Sequence, residues 1–195
     1  ECKALRPAAK WGMCGLPITT YFPWLASGDP LQQERLRLLK RAHDVELAWL
    51  FDRVNAHFPS LPVPFEGVEA RPNWNVRQVN KGDIEQYLRL NCVEAIRISR
   101  DRPVIALIHP LYPDTEAALR GRWLNEEDLL ACFEVPRACG AAGVAIRGQI
   151  GDFNHPQDEW QRVVENHLNP LAEIFASAAA APLQTPATAA GPGAA

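Results

Sequence analysis

The segment from Trp123 to Ile146, WLNEEDLLACFEVPRACGAAGVAI, constrains the fold more than any other stretch of the chain. Asn125 precedes three acidic residues, Glu126, Glu127 and Asp128. Its side-chain oxygen can accept from a free N–H of a first helical turn, and the acids suit the positive end of the helix dipole. Gly140 then supplies the left-handed residue on which helices end. The apolar run from Gly143 to Arg147 follows as a short buried strand. Pro136, inside the helix, has no N–H to donate and is expected to kink it. A capped helix, a glycine stop and a strand make one helix-to-strand step. A chain built from such steps forms a parallel sheet covered by helices, because parallel strands need a crossover between them.

The same step recurs upstream. A first strand is expected over Lys10 to Leu16, ended by Pro17. Asp29 reads as an N-cap with Pro30 at the first helical position, opening a helix from Leu31 to about His57. Leu36, Leu39, Val45, Trp49, Leu50 and Val54 recur at roughly helical spacing and are expected to face the sheet, with Trp49 in the core. Pro59 stops this helix. The second strand, Leu61 to Phe65, contains Pro62 and Pro64, which cannot donate to a ladder; an irregular or edge position follows. The next helix is expected from Asp83, with Gln86 completing a capping box, to about Ser99. Ile84, Tyr87, Leu88 and Ile96 are among its apolar positions. Pro103 to Ile108 is a continuous apolar run suited to a strand buried on both faces. The last helix spans about Gln157 to Ala178.

These are four strand-helix units, about half of a (β/α)₈ barrel, which typically takes ~250 residues. The expected fold class is therefore α/β, a partial TIM-like barrel over residues 1–177 with a low-complexity Ala/Pro-rich tail over 178–195 that is expected to be disordered. A half barrel has two open strand edges. The expectation is that an N-terminal half is missing or that this half pairs with something.

Composition narrows the function classes. A net charge of −3 over 195 residues gives no footprint for a polyanion such as nucleic acid. No apolar run reaches the roughly 18 residues of a membrane span. The chain opens at Glu1 without an initiator Met or a signal-peptide pattern, and reads as a mature segment or a fragment. Its 5 cysteines leave at least one thiol unpaired within the chain. Cys132 and Cys139 sit on one helix about 10 Å apart, too far to bond each other. No C-x-x-C occurs and the histidines lack ligand spacing, so neither a metal nor another cofactor is expected.

Six segments, in order, resemble the second half of the hyaluronidase-type glycoside hydrolases. KWGMCGLP (10–17) is similar to the family's L-W-G-x-Y-x-F-P strand. LAWLFDRVNAHFPS (47–60) is similar to L-x-W-L-W followed by A-L-Y-P-S. Tyr87, Glu94, Ala95 and Arg97 fit a Y-x₆-E-A-x-R helix. Pro103 to Tyr112 resembles the strand that leads to an aromatic-rich loop. Glu126 to Ile146 resembles E-E-D-L…G-A-A-G-V-V-x-W, and LNPL (168–171) the closing L-G-P. The resemblance implies hydrolysis of β-1,4 N-acetylhexosaminide bonds in hyaluronan or chondroitin. The implied mechanism is substrate-assisted: a Glu acts as acid and base, the substrate's acetamido oxygen as nucleophile, and an Asp two residues earlier orients it. It also implies a secreted or lysosomal setting.

The chain departs from that pattern at several positions. The catalytic Asp-x-Glu segment is expected upstream of residue 1 and absent from this chain, which alone is expected to be inactive. The subsite tyrosine of the first strand falls on Cys14, and the tryptophan after the last strand on Arg147. A second tyrosine falls near Pro62, and the two disulfide cysteines near Ile18 and Gln157. Loops after strand C-termini carry the chemistry of barrels. On them, Glu66, Asp114 and Asp152 are carboxylates that could work as acid or base if buried, or stay solvated. The candidate substrate contacts are Cys14, Trp24, Tyr112, Asp114 and Arg147. Tyr112 reads as a sugar contact or a plain loop aromatic, and Trp24 as a sugar platform or a loop anchor. Arg147 reads as a partner for a uronate carboxylate or as an ion-pair partner within the fold. The expected partner is a glycosaminoglycan or related polysaccharide. The alternative is a non-catalytic carbohydrate-binding or interaction module on the same scaffold.

Overall fold

The computed structural model describes residues 8–17, 30–64, 81–113, 119–147 and 156–179. In chain order the elements are β1 (Gly12–Cys14), α1 (Pro30–Arg41), a wider π-helical turn (Ala42–Glu46), α2 (Ala48–Phe51), β2 (Ala56–Phe58) and β3 (Ser60–Leu61). Then come α3 (Lys81–Ser99), β4 (Ile105–Ile108), α4 (Glu126–Cys139), β5 (Gly143–Ile146), α5 (Gln157–Val163), a second π-helical turn (Val164–Leu168) and α6 (Asn169–Ala179).

All strand pairs are parallel. β1 pairs with β2 (Gly12 opposite Ala56), β3 with β4 (Ser60 opposite Leu107) and β4 with β5 (Ile105 opposite Gly143). β2 and β3 form one strand interrupted at Pro59. Pro59 has no N–H to give, yet its carbonyl accepts from Leu107 N at 2.9 Å, and just before it His57 N donates to Pro103 O at 3.0 Å. The sheet therefore runs β1, β2/β3, β4, β5 in chain order with helices as crossovers, the arrangement expected of part of a β/α barrel. Among the described residues the barrel does not close.

The largest departure from expectation lies between α1 and β3. The helix does not reach His57. It ends at Phe51, and Ala56–Phe58 is a strand. Helical spacing in the sequence runs on past the real stop, because the interruption is made by pairing with β1. Gly12 decides that pairing: a Cβ there would stand 2.3 Å from the Phe58 ring, so only glycine lets the two strands approach. The expected inward face is also partly wrong. Val54 is buried, but Val45 (67% exposed) and Trp49 (58%) stand in solvent, and Arg53 lies over the Trp49 ring. Trp49 is thus not a core residue. The second strand lies earlier than expected, with Pro62 and Pro64 beyond its end. α3 begins at Lys81, so Asp83 sits in its first turn rather than at its cap.

The main core lies between β3–β4 and helices α3, α4 and α6. Leu61, Leu88, Ala106, Ile108, Phe133 and Phe175 are among its members. α4 ends as its sequence dictates. Asn125 accepts from Asp128 N at 2.8 Å, and Gly140 takes φ 91° while the chain continues into β5. The helix runs on past Pro136 to Cys139.

Candidate functional site

The C-terminal ends of the strands form one mouth, and its shape follows from how each strand stops. β1 stops at Cys14, where Gly15 turns the chain at φ 84° before a cis Leu16–Pro17 bond. Gly15 N donates to Phe58 O at 2.9 Å and so fixes Cys14 beside the end of β2. β5 ends at Ile146, and Arg147 N donates to Ile108 O at 2.9 Å. The Arg147 side chain then spans from the last strand to the first, with Nη1 3.8 Å from Cys14 Sγ. Two residues 133 apart in sequence are thereby brought together, both exposed to solvent. A thiol and a guanidinium are what this part of the mouth offers: one soft, weakly polar group and one fixed cation able to grip a carboxylate in a bidentate way.

Tyr112 has a different place. It is 1% exposed, and its hydroxyl donates to Asp128 Oδ2 at 2.7 Å while accepting from Asn125 N at 3.3 Å. Tyr112 N donates to Arg122 O at 2.9 Å, and Leu111 bridges Trp123. The loop after β4 is thus folded back onto the start of α4, and Tyr112 pins it there instead of facing the mouth. Asp128 stands in the acidic first turn of α4, and its role as the buried acceptor of the tyrosine hydroxyl has no local sequence signal. Trp24, Asp114, Glu66 and Asp152 lie outside the described residues.

The Asp-x-Glu spacing needs a correction. The tripeptide occurs three times: Asp44–Glu46, Asp83–Glu85 and Asp114–Glu116. The first lies in the π-helical turn after α1 and the second in the first turn of α3. The third falls in the segment between Pro113 and Leu119 that follows β4. The spacing as such is present. No instance falls within a described strand.

Behind the sheet lies a buried polar cluster that sequence reading missed. His43 Nδ1 is 2.8 Å from Glu94 Oε1, and both side chains are almost fully buried. Arg97 grips the same carboxylate with Nε and Nη2, each at 2.7 Å, and reaches Asp44 with Nη1 at 2.7 Å. Burial pushes the Glu94 carboxyl up. The hydrogen bonds and charges of Arg97 and His43 more than reverse this and hold it at about 2. The Glu94–Arg97 spacing is visible in the sequence. The His43 contact, 51 residues away, exists only in the fold. His57 is fully enclosed with its ring against Phe51 at 5.5 Å. Neither ring nitrogen has a hydrogen-bond partner among the described residues. Burial, and then the charge of Arg102, lower its pKa.

No protein-family profile matches the chain. Human hyaluronidase-3 is 24% identical over 168 residues, which is 81% of this chain and 34% of that protein. A monoclinic crystal structure of bee venom hyaluronidase superposes with a TM-score of 0.64 at 22% identity, covering 88% of this chain and 50% of that one. The same enzyme in complex with a hyaluronic acid tetramer gives a TM-score of 0.65 at 22% identity, covering 90% and 50%. The chain spans about half of the bee enzyme and about a third of the human relative. It has the fold of about half of a hyaluronidase-type glycoside hydrolase, and the weak sequence similarity points to the same group.

Proposed function

We propose that this chain is the C-terminal half of a hyaluronidase-like glycosidase barrel, acting on β-1,4 N-acetylhexosaminide bonds of a glycosaminoglycan. The observation that carries this reading is the ordered parallel sheet, β1 to β5, whose likeness to the bee enzyme extends over nearly all of this chain. The bee enzyme has been crystallised with a hyaluronic acid tetramer, which makes a uronate-containing polysaccharide the natural first substrate class to test. Cys14 and Arg147 would line the saccharide path, with Arg147 pairing a uronate carboxylate. Tyr112 would act indirectly, by holding the loop after β4. The general acid would come from the other half of the barrel, since a retaining, substrate-assisted reaction needs a carboxyl group at the mouth beside the acetamide. A secreted or lysosomal setting goes with this reading.

A second reading has its own support. A cysteine and an arginine stand where the resemblance implies a tyrosine and a tryptophan, which removes two rings from the saccharide path. A non-catalytic carbohydrate-binding module on the same scaffold would tolerate that change.

The test is release of N-acetylhexosamine reducing ends from hyaluronan and chondroitin, from acid to neutral pH. The chain is assayed alone and joined to an upstream half barrel. The first reading expects turnover in the joined protein only. Turnover by the chain alone would overturn the assignment of the acid and direct attention to Asp114 and Glu116. Silence in both, with hyaluronan oligosaccharide binding that Arg147→Ala abolishes, would establish the second reading.

A further inference from the structure

Phe51, the last residue of α2, packs against two buried histidines. Its ring centroid lies 6.0 Å from that of His43 and 5.5 Å from that of His57, edge to face in both cases. All three are enclosed: Phe51 is 2% exposed, His43 3% and His57 0%. The two imidazoles differ in what their nitrogens meet. His43 Nδ1 has Glu94 Oε1 at 2.8 Å, and Arg97 holds that carboxylate in place. His57 is fixed by its backbone, opposite Met13 of β1 and bridged to Val104, with its N–H on Pro103 O. Neither of its ring nitrogens has a partner among the described residues. The charged groups of the surrounding elements are engaged elsewhere. Glu94 on α3 is shared by His43 and Arg97, and Asp44 pairs with Arg97. Asp52, after α2, pairs with Arg100 at 2.8 Å, while Arg102 gives Nη2 to Asp52 O at 2.7 Å. β1 brings Met13, which has no charge.

We propose that His57 is a proton-operated latch: on acidification its imidazolium leaves the pocket, Phe51 loses its packing, and α2 separates from the sheet while the main core stays folded. The two histidines respond differently because a proton on His43 meets an anion. A proton on His57 makes an enclosed cation with no anion beside it and with the charge of Arg102 acting against it. A buried charge in that condition moves to solvent. α2 is built to move separately. It is a single turn carrying the exposed Trp49, and α1 before it is exposed along nearly its whole length. Phe51 and His57 do not belong to the main core cluster around β3, β4, α3, α4 and α6, so their release leaves that cluster intact. The lowered pKa of His57 agrees with this geometry. In the open form the ring takes its proton near the ordinary value of 6.5, and in the closed form only further down. The open population therefore grows up to about tenfold for each pH unit below that value, until the closed form protonates as well. The movement reaches the mouth, because Phe58 follows His57 and its carbonyl holds Gly15 N beside Cys14. The proposal does not depend on the glycosidase reading.

The test is peptide-resolved hydrogen–deuterium exchange of the purified chain at about pH 7 and about pH 5, corrected for intrinsic exchange rates. The reporters are the amides of α2 and its end: Leu50 and Phe51 N on Leu47 O, and Asp52 N on Ala48 O. Their protection is expected to fall about 10- to 30-fold more than that of α4 over this interval. His57→Leu, which fills the pocket with a side chain that does not titrate, should remove the difference. A second measurement serves if that variant fails to fold. In the unaltered chain the titration of the His57 ring, read from exchange of its C2 proton, must run parallel with the loss of protection in α2. Equal changes in α2 and α4, a fall that persists in His57→Leu, or a His57 ring that titrates while α2 stays protected would each overturn the proposal.

Discussion

The region around α3, β4 and α4 and the region around α1 and α2 both carry apolar residues along their helices, and they end in opposite condition. In the first, apolar positions disappear into a shared core: Ile84, Leu88, Ala106, Ile108 and Phe133 are all buried. In the second, Leu31, Leu38, Val45 and Trp49 form a stripe that remains exposed. Leu31 and Leu38, seven residues apart on α1, share one helical side, and Val45 and Trp49 follow on the π-helical turn and on α2. An apolar face is a capacity for burial, and whether it is used depends on what else the chain brings to it. The two regions are tied by a polar link, the buried His43–Glu94 pair extended by Arg97 to Asp44.

That tie is the place to break the comparison with the largest effect. Glu94→Ala leaves His43 and Arg97 without their shared acceptor and should cost about 3 kcal/mol in urea unfolding. Arg97 is partly solvated and its share is screened, so most of the loss belongs to the His43 contact. The sign with pH follows from the depressed carboxyl. Its stabilisation is present in full above the unfolded value of 4.5 and fades as pH falls through about 2. Glu94→Ala should therefore lose less stability than the unaltered chain over that interval. Equal losses would mean that the pair does not hold the regions together.

A smaller effect is expected at His57. Its folded pKa is lowered, so the unfolded chain takes up a proton first, and stability falls as pH drops below about 6.5. His57→Leu removes that slope. The variant's margin over the unaltered chain should widen from about pH 7 to about pH 5 in thermal melts, because a buried, unpartnered imidazole has only a desolvation cost to lose. A constant margin would show that the ring is not the titrating group.

The smallest effect is expected on the exposed stripe. Val45→Lys should change stability by less than about 0.5 kcal/mol, as substitutions away from packed or hydrogen-bonded features do. A loss of 2 kcal/mol or more by the same measurement would mean that the stripe is covered in solution, and the contrast between the two regions would disappear.

By itself, the sequence determined the parts of this protein whose causes are local. The Asn125 cap, the Gly140 stop, the apolar run into β4 and the order of parallel strands were all readable, because each rests on residues a few positions apart acting on the backbone between them. The position of Cys14 at the end of β1 and of Arg147 just past the end of β5 also follows from local strand limits. Only the tertiary structure decided where the first helix yields to β2, since that depends on Gly12 admitting Phe58 from 46 residues away. It decided that Tyr112 turns inward, where its hydroxyl donates to Asp128 Oδ2. It also brought Arg147 to Cys14 and His43 to Glu94. Short-range patterns set which backbone states each segment prefers. Long-range contacts set which of the groups so displayed meet, and burial then fixes what each meeting is worth.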